Sequence, residues 1–273
     1  MSEPLHDIAA ARRRKGSFVD PGADIHPGAV LGRDCTVGPF AVIGEGVRLG
    51  DRCIVHTHAV MEGSTVMGND NEVFPFACIG GAPQDLRHNG EDTRLQIGDG
   101  NIFREHVTVS RGTAHGGGVT EIGNSNMLMA YCHVAHDCVL GDNIVMANHA
   151  TLAGHVEVRD HAVFGGMVAV GTFLRIGESA MLAAGAMVER DAPPFCIVAG
   201  DRARLRAVNR VGLDRRGFSR ESRQQIKRIF LALRQTSLGI EAIVSEFRDE
   251  SSLTPEAGRM LVFLEKAERG VIR

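Results

Sequence analysis

The chain has 273 residues, enough for one large domain or two smaller ones, and 44% of them are hydrophobic. Its 30 Lys and Arg against 33 Asp and Glu give a formal net charge of −3, so the composition provides no overall attraction to nucleic acid, and we expect no such partner. The sequence has neither the apolar core of a secretory signal nor an apolar run that could span a bilayer, which predicts a soluble cytoplasmic protein without stable membrane insertion.

Residues 1–18 precede any periodic pattern and include a basic run, Arg-Arg-Arg-Lys, at 12–15. A run of like charges without apolar neighbours is typical of a solvated segment, although it could also contact an anionic membrane surface. We predict a flexible N-terminal tail.

From Val19 onward an aliphatic side chain recurs at every sixth residue, with a small side chain four residues after it and often a glycine directly after it. Steps of six return to the same side of a strand, whose period is two, whereas on an α-helix they would scatter over three faces. The repeat therefore predicts short strands, joined by turns that glycine permits, in the stacked coils of a parallel β-helix over residues 19–197. The aliphatic positions are Val19, Ile25, Leu31, Val37, Ile43, Leu49, Val55, Met61, Met67, Val73 and Ile79, and again Ile122, Leu128, Val134, Leu140, Met146, Leu152, Val158, Phe164, Val170, Ile176, Leu182 and Val188.

Two polar segments interrupt the repeat. Residues 81–96 lack aliphatic side chains at the expected sites, although the step from Ile79 to Ile97 keeps the phase and corresponds to three full units. The glycine-rich segment 111–118 is typical of a loop, and the step from Val109 to Ile122 is one position longer than two units. Because loops on a rigid scaffold commonly carry function, these segments are candidates for the functional site.

Beyond residue 197 the apolar spacing becomes helical, which predicts a small α-helical domain at 198–273. Thr254 and Pro255 have the residue types of an N-cap and a first helical position, and we expect the last helix to end at Gly270. The segment 202–234 carries eleven Lys or Arg, which is a local basic surface in an otherwise balanced chain.

Candidate chemistry lies among the histidines. If three units make one coil, residues 18 apart stack about 4.8 Å from each other. His136 and Asp137 then lie at the same corner as His155 one coil later, with His133 facing outward on the strand that enters this corner. The loop at 111–118 lies one coil below. The sequence thus predicts that four polar side chains converge beside a loop.

An imidazole titrates near neutrality, so a histidine in this group could take a proton from a hydroxyl as general base. A neighbouring carboxylate could fix its tautomer, and a backbone N–H, for example at Gly154, could stabilise an oxyanion during acyl transfer. The competing interpretation of three histidines is a zinc site in a metal-dependent lyase.

These residues carry a resemblance to a known family. From about Val19 to Arg273 the chain resembles the UDP-N-acetylglucosamine 3-O-acyltransferases, which catalyse the first acylation of lipid A biosynthesis. The hexad alone would indicate only a large superfamily, and the specific segments are 80–93 with Gln-Asp-Leu at 84–86, 111–118 with Arg-Gly-Thr and Gly-Gly-Gly, His-Val-Ala-His-Asp-Cys at 133–138, Ala-Thr-Leu-Ala-Gly-His-Val at 150–156, Arg-Arg-Gly-Phe-Ser-Arg at 215–220 and Arg-Gly-Val-Ile-Arg at 269–273.

The resemblance implies a left-handed β-helix, a homotrimer and active sites in the grooves between subunits, with neither a cofactor nor a metal. His136 would be the general base on the glucosamine 3-hydroxyl, oriented by Asp137. The hydroxyl would attack the thioester of a 3-hydroxyacyl group on acyl carrier protein, with the Gly154 N–H as oxyanion donor. The basic segment 202–234 would suit an acidic carrier protein.

The resemblance also implies the residues that bind the sugar nucleotide. One subunit would contribute Gln84, Asp85, Arg87, His133, His155 and Thr172, with Arg87 near the thioester arm. The next subunit would contribute Asn209, Arg215 and Arg216, since guanidinium groups suit a diphosphate.

Some positions depart from the family pattern. Gly171 and Thr172 replace a common His and Gln, Ser110 replaces a common His, and Val211 stands where an acid is frequent. One hypothesis is therefore a 3-amino sugar nucleotide as acceptor, which would give an amide. Ala184 occupies the position where the family limits acyl length, and glycine there leaves room for longer chains, so we predict a donor shorter than the longest in the family.

Other functions remain alternatives. A zinc-dependent lyase of the β-helix class would contain stoichiometric metal, and a purely structural β-helix would tolerate loss of His136 and Arg216. The nearest rivals among transferases are a CoA-dependent acetyltransferase and the related N-acyltransferase of the same pathway. The latter normally carries an additional N-terminal domain, for which the segment 1–18 is too short.

Overall fold

The structure, a computed structural model, describes residues 16–235, 237–248 and 252–273. Residues 1–15, most of the predicted N-terminal tail, lie outside the described residues. Short strands wind into three parallel sheets, named A, B and C, which form the three sides of a prism, and a group of helices follows. This is the parallel β-helix with a small C-terminal helical domain that the sequence predicts.

Each coil contributes one strand to each sheet. Sheet A contains β1 (Phe18–Val19), β4 (Thr36–Val37), β7 (Ile54–Val55), β10 (Glu72–Val73), β13 (Ile102–Phe103), β16 (Met127–Leu128), β19 (Val145–Met146), β22 (Val163–Phe164), β25 (Met181–Leu182), β27 (Cys196–Ala199) and β28 (Arg204–Val208). Sheet B contains β2 (Asp24–Ile25), β5 (Val42–Ile43), β8 (Val60–Met61), β11 (Cys78–Gly81), β14 (Thr108–Ser110), β17 (His133–Val134), β20 (Thr151–Leu152), β23 (Ala169–Val170) and β26 (Met187–Val188). Sheet C contains β3 (Val30–Leu31), β6 (Arg48–Leu49), β9 (Ser64–Met67), β12 (Arg94–Ile97), β15 (Val119–Ile122), β18 (Val139–Leu140), β21 (Glu157–Val158) and β24 (Arg175–Ile176).

The hexad residues form the core of the prism. Val134, Leu152 and Val170 pair in register on neighbouring strands of sheet B and are buried, as the predicted winding of three units per coil requires. Val19, in the first described coil, is 40% exposed because no described coil covers its outer side. The core is a single column of aliphatic side chains, which leaves the outward side chains free to form sites.

The two interruptions are larger insertions than the sequence count indicates. Ile79 on β11 and Ile97 on β12 lie on adjacent sides of one coil, so a segment with the length of three units replaces a single unit. Val109 and Ile122 are likewise on adjacent sides, so slightly more than two units replace one. The sequence indicates three repeat units between Ile79 and Ile97 and about two between Val109 and Ile122, and both counts were wrong. Residues that keep the phase of the repeat can still leave the coil as a loop.

Three corners join the sheets. The A–B corner comprises turns such as 147–150, the B–C corner turns such as 135–138 and 153–156, and the C–A corner turns such as 141–144. The third residue of each of these turns has a positive φ and is not glycine, for example Asp137 at 59°.

The glycine that begins many turns has a role different from the predicted one. Gly32 and Gly50 do not have positive φ, but a Cβ added at Gly32 would collide with the backbone of Gly50 in the next coil. Close approach of stacked coils, rather than a left-handed backbone, therefore requires glycine there.

Within the described part of 198–273, four helices follow the coils: α1 (Arg210–Arg215), α2 (Arg220–Arg234), α3 (Ile240–Arg248) and α4 (Pro255–Glu265). Thr254 caps α4 as predicted, since its side chain accepts a hydrogen bond from the Ala257 amide. The helix ends at Glu265 and not at Gly270, because the chain leaves the helix and returns to the coils, where the Asp191 amide donates to the Gly270 carbonyl.

The β-helix and the helices are joined without a break. Strand β27 spans the boundary predicted between residues 197 and 198, and the antiparallel β28 extends sheet A towards α1. The domain limits of 19–197 and 198–273 stay a prediction. Among the described residues, no helix is both long and apolar enough to cross a bilayer.

Candidate active site

The B–C corner is the part of the prism from which both insertions project. The first, residues 82–93, joins β11 to β12, and the second, residues 111–118, joins β14 to β15 and contains a short 3-10 helix at Ala114–Gly116. The turns at 135–138 and 153–156 belong to the next two coils at the same corner. The structure thus brings two loops to the corner where the histidines were expected to converge.

His136 and Asp137 form a hydrogen-bonded pair at this corner. The Nδ1 of His136 lies 2.7 Å from the Oδ2 of Asp137, and the Asp137 side chain is only 1% exposed. Thr113 donates two hydrogen bonds to the same carboxylate, from its amide at 2.9 Å and from its hydroxyl at 2.6 Å. Burial by itself would raise the pKa of Asp137, but the hydrogen bonds from Thr113 and His136 outweigh it and leave this pKa lowered.

An ionised Asp137 fixes the tautomer of its partner. A carboxylate can only accept, so Nδ1 of His136 carries a proton, and in the neutral ring Nε2 is the nitrogen with the lone pair. The imidazole lies against the backbone of Gly154, where a Cβ would come within 2.6 Å of the ring carbon Cε1. Glycine at 154 therefore makes room for this ring orientation.

His155 and His133 flank the pair. The His155 ring is perpendicular to that of His136, with centroids 5.2 Å apart, and stacks on Phe173 at 4.3 Å. Arg269 covers the other end of this column, with its guanidinium 5.2 Å from the Phe173 ring centre. The Nδ1 of His133 is 2.7 Å from the hydroxyl of Thr108.

Both flanking imidazoles favour the neutral form. Burial lowers the pKa of His133, with a smaller effect from His136. Burial also lowers the pKa of His155, and the attraction of Asp137 offsets only part of this effect. Neutral rings can donate and accept hydrogen bonds to a substrate without placing two further positive charges beside His136.

The first insertion places Asp85 opposite the pair. Its Oδ2 lies 4.0 Å from Nε2 of His136, 3.2 Å from Nε2 of His115 and 2.8 Å from Nη2 of Arg87. Hydrogen bonds from Arg87 hold the pKa of Asp85 well below its usual range. Gln84 is exposed in the same loop.

A cavity of about 710 Å³ opens beside these residues, between sheet C and the segment after α4. Asp137, His155, Phe173 and Arg269 belong to its lining. Thr172 is exposed at the B–C corner above His155. The corner therefore combines a hydrogen-bonded imidazole with adjacent space for a substrate.

Four predicted residues lie at other corners. Asn209 and Arg216 contact the C–A corner, where the Asn209 amide donates to the Ser179 carbonyl and Arg216 donates to Glu178 and Ser179. Arg215 is exposed at the end of α1 beside them. Ala184 is exposed at the A–B corner, in the turn between β25 and β26. A single chain therefore does not bring these residues to the His136 pair.

Comparison with known proteins gives the family. Residues 191–272 match the domain described as Udp N-acetylglucosamine O-acyltransferase, Domain 2, and residues 14–45, 28–63 and 120–154 match the bacterial transferase hexapeptide. The chain is 43% identical to an acyl-[acyl-carrier-protein]--UDP-N-acetylglucosamine O-acyltransferase of Herminiimonas arsenicoxydans, over 94% of the chain and 100% of that relative. The chain belongs to the UDP-N-acetylglucosamine O-acyltransferase family.

Solved structures of the family agree with the fold. A UDP-N-acetylglucosamine acyltransferase from Bacteroides fragilis is 35% identical, with a TM-score of 0.91, and covers 94% of this chain and 100% of its own. The enzyme from Campylobacter jejuni is 34% identical, with a TM-score of 0.88, over 93% of this chain and 98% of its own. The predicted left-handed β-helix with a helical C-terminal domain is confirmed.

The same corner contains groups that can bind metals. One ligand atom from each of His136, Asp137 and His155 lies within 4.8 Å of the others. The closest two atoms, Nδ1 of His136 and Oδ2 of Asp137, are 2.7 Å apart, as in a hydrogen bond. Two ligands of one tetrahedral zinc, each with a bond of about 2.0 Å, would be roughly 3.3 Å apart. These two atoms therefore have the spacing of a hydrogen bond and not that of two ligands of one zinc.

Three neighbours of the histidine cluster were not chosen as individual site residues from the sequence. Thr113 and His115 lie in the loop that the sequence singled out, but a loop without a period gives no register for its side chains. Phe173 occupies the position of His155 one coil later, so the same stacking rule predicts where it lies, although an exposed phenylalanine gave no separate reason to choose it.

Proposed function

We propose that this protein transfers a 3-hydroxyacyl group from acyl carrier protein to the 3-hydroxyl of UDP-N-acetylglucosamine, the first step of lipid A biosynthesis. The names of the relatives supply the donor and the acceptor. The observation that carries the mechanism is the His136–Asp137 hydrogen bond, because it engages Nδ1 of His136 and leaves Nε2 as the ring nitrogen that can accept a proton from a substrate hydroxyl. Membership of this family favours acyl transfer over the zinc-dependent lyase.

In the proposed reaction, Nε2 of His136 takes the proton of the 3-hydroxyl as its oxygen attacks the thioester carbonyl. The tetrahedral intermediate carries a negative oxygen, to which the Gly154 N–H would donate a hydrogen bond. Collapse breaks the carbon–sulfur bond, and the imidazolium returns its proton to the departing thiolate. The buried Asp137 stabilises the imidazolium throughout, and the balance of atoms needs no cofactor or metal.

The proposed binding site for the sugar nucleotide spans two subunits. Asp85, Gln84 and Arg87 would approach it from the first insertion, and His133, His155 and Thr172 from the coils. Asn209, Arg215 and Arg216 lie on another corner of the chain, so in this proposal they belong to a neighbouring subunit of a homotrimer. In a cyclic trimer the two different corners would face each other three times.

The donor would be guided by charge. The basic segment 202–234 includes exposed arginines such as Arg210 and Arg220 around a cavity beside α1 and α2. A basic surface attracts an acidic carrier protein and raises the rate of encounter. Because both proposed substrates are soluble in water, we also propose a cytoplasmic location.

The test is an assay of the purified protein with acyl carrier protein thioesters of several lengths. His136→Ala should lower kcat by about 10²–10⁴-fold, the usual contribution of a general base. His26→Ala is the matched control, because it removes an imidazole from the same corner five coils earlier. It should retain the wild-type rate. If His136→Ala kept most of the activity while its fold was unchanged, the role of this imidazole would be wrong.

The same assay separates two acceptors. Ser110 is buried and Gly171 has no side chain, so the site lacks two groups that the family pattern leads one to expect near a hydroxyl acceptor. These departures motivate the 3-amino alternative, but the relatives are named for UDP-N-acetylglucosamine, so turnover of UDP-N-acetylglucosamine should exceed that of its 3-amino analogue. A strong preference for the amine would replace O-acyl transfer with amide formation.

A further inference from the structure

The loop at 111–118 contacts both carboxylates of the site. Thr113 binds Asp137 through its amide and hydroxyl, and His115, two residues later, has its Nε2 3.2 Å from Oδ2 of Asp85. The backbone between them is fixed, because the Thr113 hydroxyl also accepts a hydrogen bond from the Gly116 amide at 3.1 Å. One turn therefore contacts two acidic groups that come from different elements.

This turn is packed directly on the catalytic pair. A Cβ added at Gly116 would collide with the Asp137 carboxylate, so the backbone of the loop lies against that group. Gly117 has a φ of 105° and ends the short helix in the left-handed region that glycine permits. These constraints direct the His115 side chain, about one third of which stays exposed, to the Asp85 carboxylate.

Asp85 has a second potential partner that would interfere with catalysis. Its carboxylate is 4.0 Å from Nε2 of His136, the atom that must accept the proton of the acceptor. A small shift would let the carboxylate accept a hydrogen bond from a protonated Nε2 and stabilise the imidazolium before the substrate reacts. Arg87 holds the carboxylate from one side through Nε and Nη2, and His115 contacts it from another.

We propose that His115 is a positioning residue for the acyl transfer proposed above, which holds Asp85 away from Nε2 of His136 and directs its carboxylate to the sugar. His115 thus acts on the base through Asp85 and need not touch the reacting atoms. The contact does two things: it keeps the lone pair of Nε2 available, and it keeps Asp85 in one place as a hydrogen-bond acceptor for a sugar hydroxyl.

The charged neighbours of both imidazoles enter the expected pH dependence. His115 faces Asp85, Arg87 and Glu91 from the first insertion and His155 from the coils. His136 faces Asp137 and Asp85, with His133 and His155 on either side. Removal of His115 frees a negative group beside Nε2 and removes a cationic neighbour when His115 is protonated. Both changes favour the protonated base, so they act in the same direction.

The experiment compares His115→Ala with His115→Gln, whose amide places an N–H donor at nearly the same distance from the backbone. His115→Ala should lower kcat/KM about ten-fold, in the range for a lost contact to a charged group, and should move the acid limb of the kcat/KM profile to higher pH. His115→Gln should restore the rate and the profile. Thermal unfolding should not distinguish the two variants.

A double-mutant cycle tests the route through Asp85. In an Asp85→Asn background, His115→Ala should cause no further loss, because the group that it positions has lost its charge. Additive losses would overturn the inference, as would a His115→Ala profile identical to that of the wild type. Equal losses in His115→Gln and His115→Ala would also overturn it, since the imidazole itself would then be required. The wild type is assayed first: absence of acyl transfer there would reject the proposed function and not this positioning role.

Discussion

The B–C and C–A corners share one backbone but use polar side chains differently. At the C–A corner, Asn71, Asn101 and Asn126 are buried and stacked in successive coils. The Asn101 side-chain amide donates to Asn71 Oδ1 and to the Gly123 carbonyl, and its oxygen accepts from the Asn126 amide. Neighbouring coils thus occupy its donor and acceptor atoms. At the B–C corner, His136 uses Nδ1 for Asp137, while its Nε2 lies 4.0 Å from the Asp85 carboxylate, beyond hydrogen-bond distance.

This difference follows from the insertions. Asn71 and Asn101 are 30 positions apart in the sequence, and Asn101 and Asn126 are 25 apart, yet both pairs stack in successive coils just as pairs in the uninterrupted coils do. The additional residues leave the coil at the B–C corner, where they bring Asp85 and Thr113 to the histidines. The coil thus supplies equivalent corners, and the inserted loops distinguish the corner that carries the His136–Asp137 pair.

Mixed trimers test whether the C–A corner of one subunit completes the site at the B–C corner of the next. His136→Ala and Arg216→Ala should each lose most activity as homotrimers, because each removes one half of a shared site. Subunits of the two variants, mixed through unfolding and refolding, should regain about one quarter of the wild-type activity, since half of the subunits supply each intact residue. Arg215→Ala, with an exposed side chain, can replace Arg216→Ala if the loss of the Glu178 ion pair weakens the fold.

The control for this experiment mixes His136→Ala with Asp137→Asn. These two residues form one pair within a chain, so mixed trimers should not recover activity. Recovery in this control would show that mixtures regain activity even when both altered residues belong to one corner of one chain. Recovery of the first mixture would then not indicate a site shared between subunits. Failure of the first mixture to recover would place the arginine outside a site shared between subunits.

Substitution of a buried asparagine at the C–A corner should reduce stability and leave activity nearly unchanged. Asn101→Ala should lower the free energy of unfolding by about 2–4 kcal/mol, because it leaves the Asn126 amide and the Gly123 carbonyl without their buried partner. Urea unfolding at a fixed protein concentration measures it. The rate per folded molecule should stay within about two-fold of the wild type, as for a substitution distant from the chemistry.

Asn124→Ala is the matched control at the same corner. Asn124 is exposed, although its side chain accepts from the Asp99 amide and donates to Asp142. Its loss should cost less than about 1 kcal/mol, because water replaces the missing partners. If Asn101→Ala and Asn124→Ala lowered the free energy of unfolding equally, burial would not be the reason for the contribution of Asn101.

The parts of the site that could be predicted are those that follow the period. From Ile122 onward the coils run without an insertion as far as Val188, so the stacking rule correctly predicts that His136, Asp137 and His155 share one corner. The rule requires only that each aliphatic side chain points inward, which fixes the direction of every neighbouring side chain. Catalytic roles for these residues stay predictions.

The loops could not be predicted in the same way. The position of Asp85 depends on 82–93, and that of His115 on 111–118, where no repeat fixes the direction of a side chain. The number of repeat units predicted for these two segments was wrong for the same reason, since a polar insertion can keep the phase of the repeat. The return of Gly270 to Asp191 is a contact between distant parts of the chain, which helical periodicity cannot indicate.

The A–B corner carries the residue predicted to limit acyl length. Ala184 is exposed at the A–B corner, so we expect it to reach the acyl chain from a neighbouring subunit. Ala184→Gly removes one methyl group and should shift the preference between donors towards longer chains by about ten-fold, the order of discrimination that one methylene provides in an apolar pocket. Competition between carrier protein thioesters of two lengths measures this ratio. Ala183→Gly makes the same backbone change one residue earlier and should leave the preference unchanged. A shift of similar size in both variants would indicate a more flexible turn rather than a limit on acyl length.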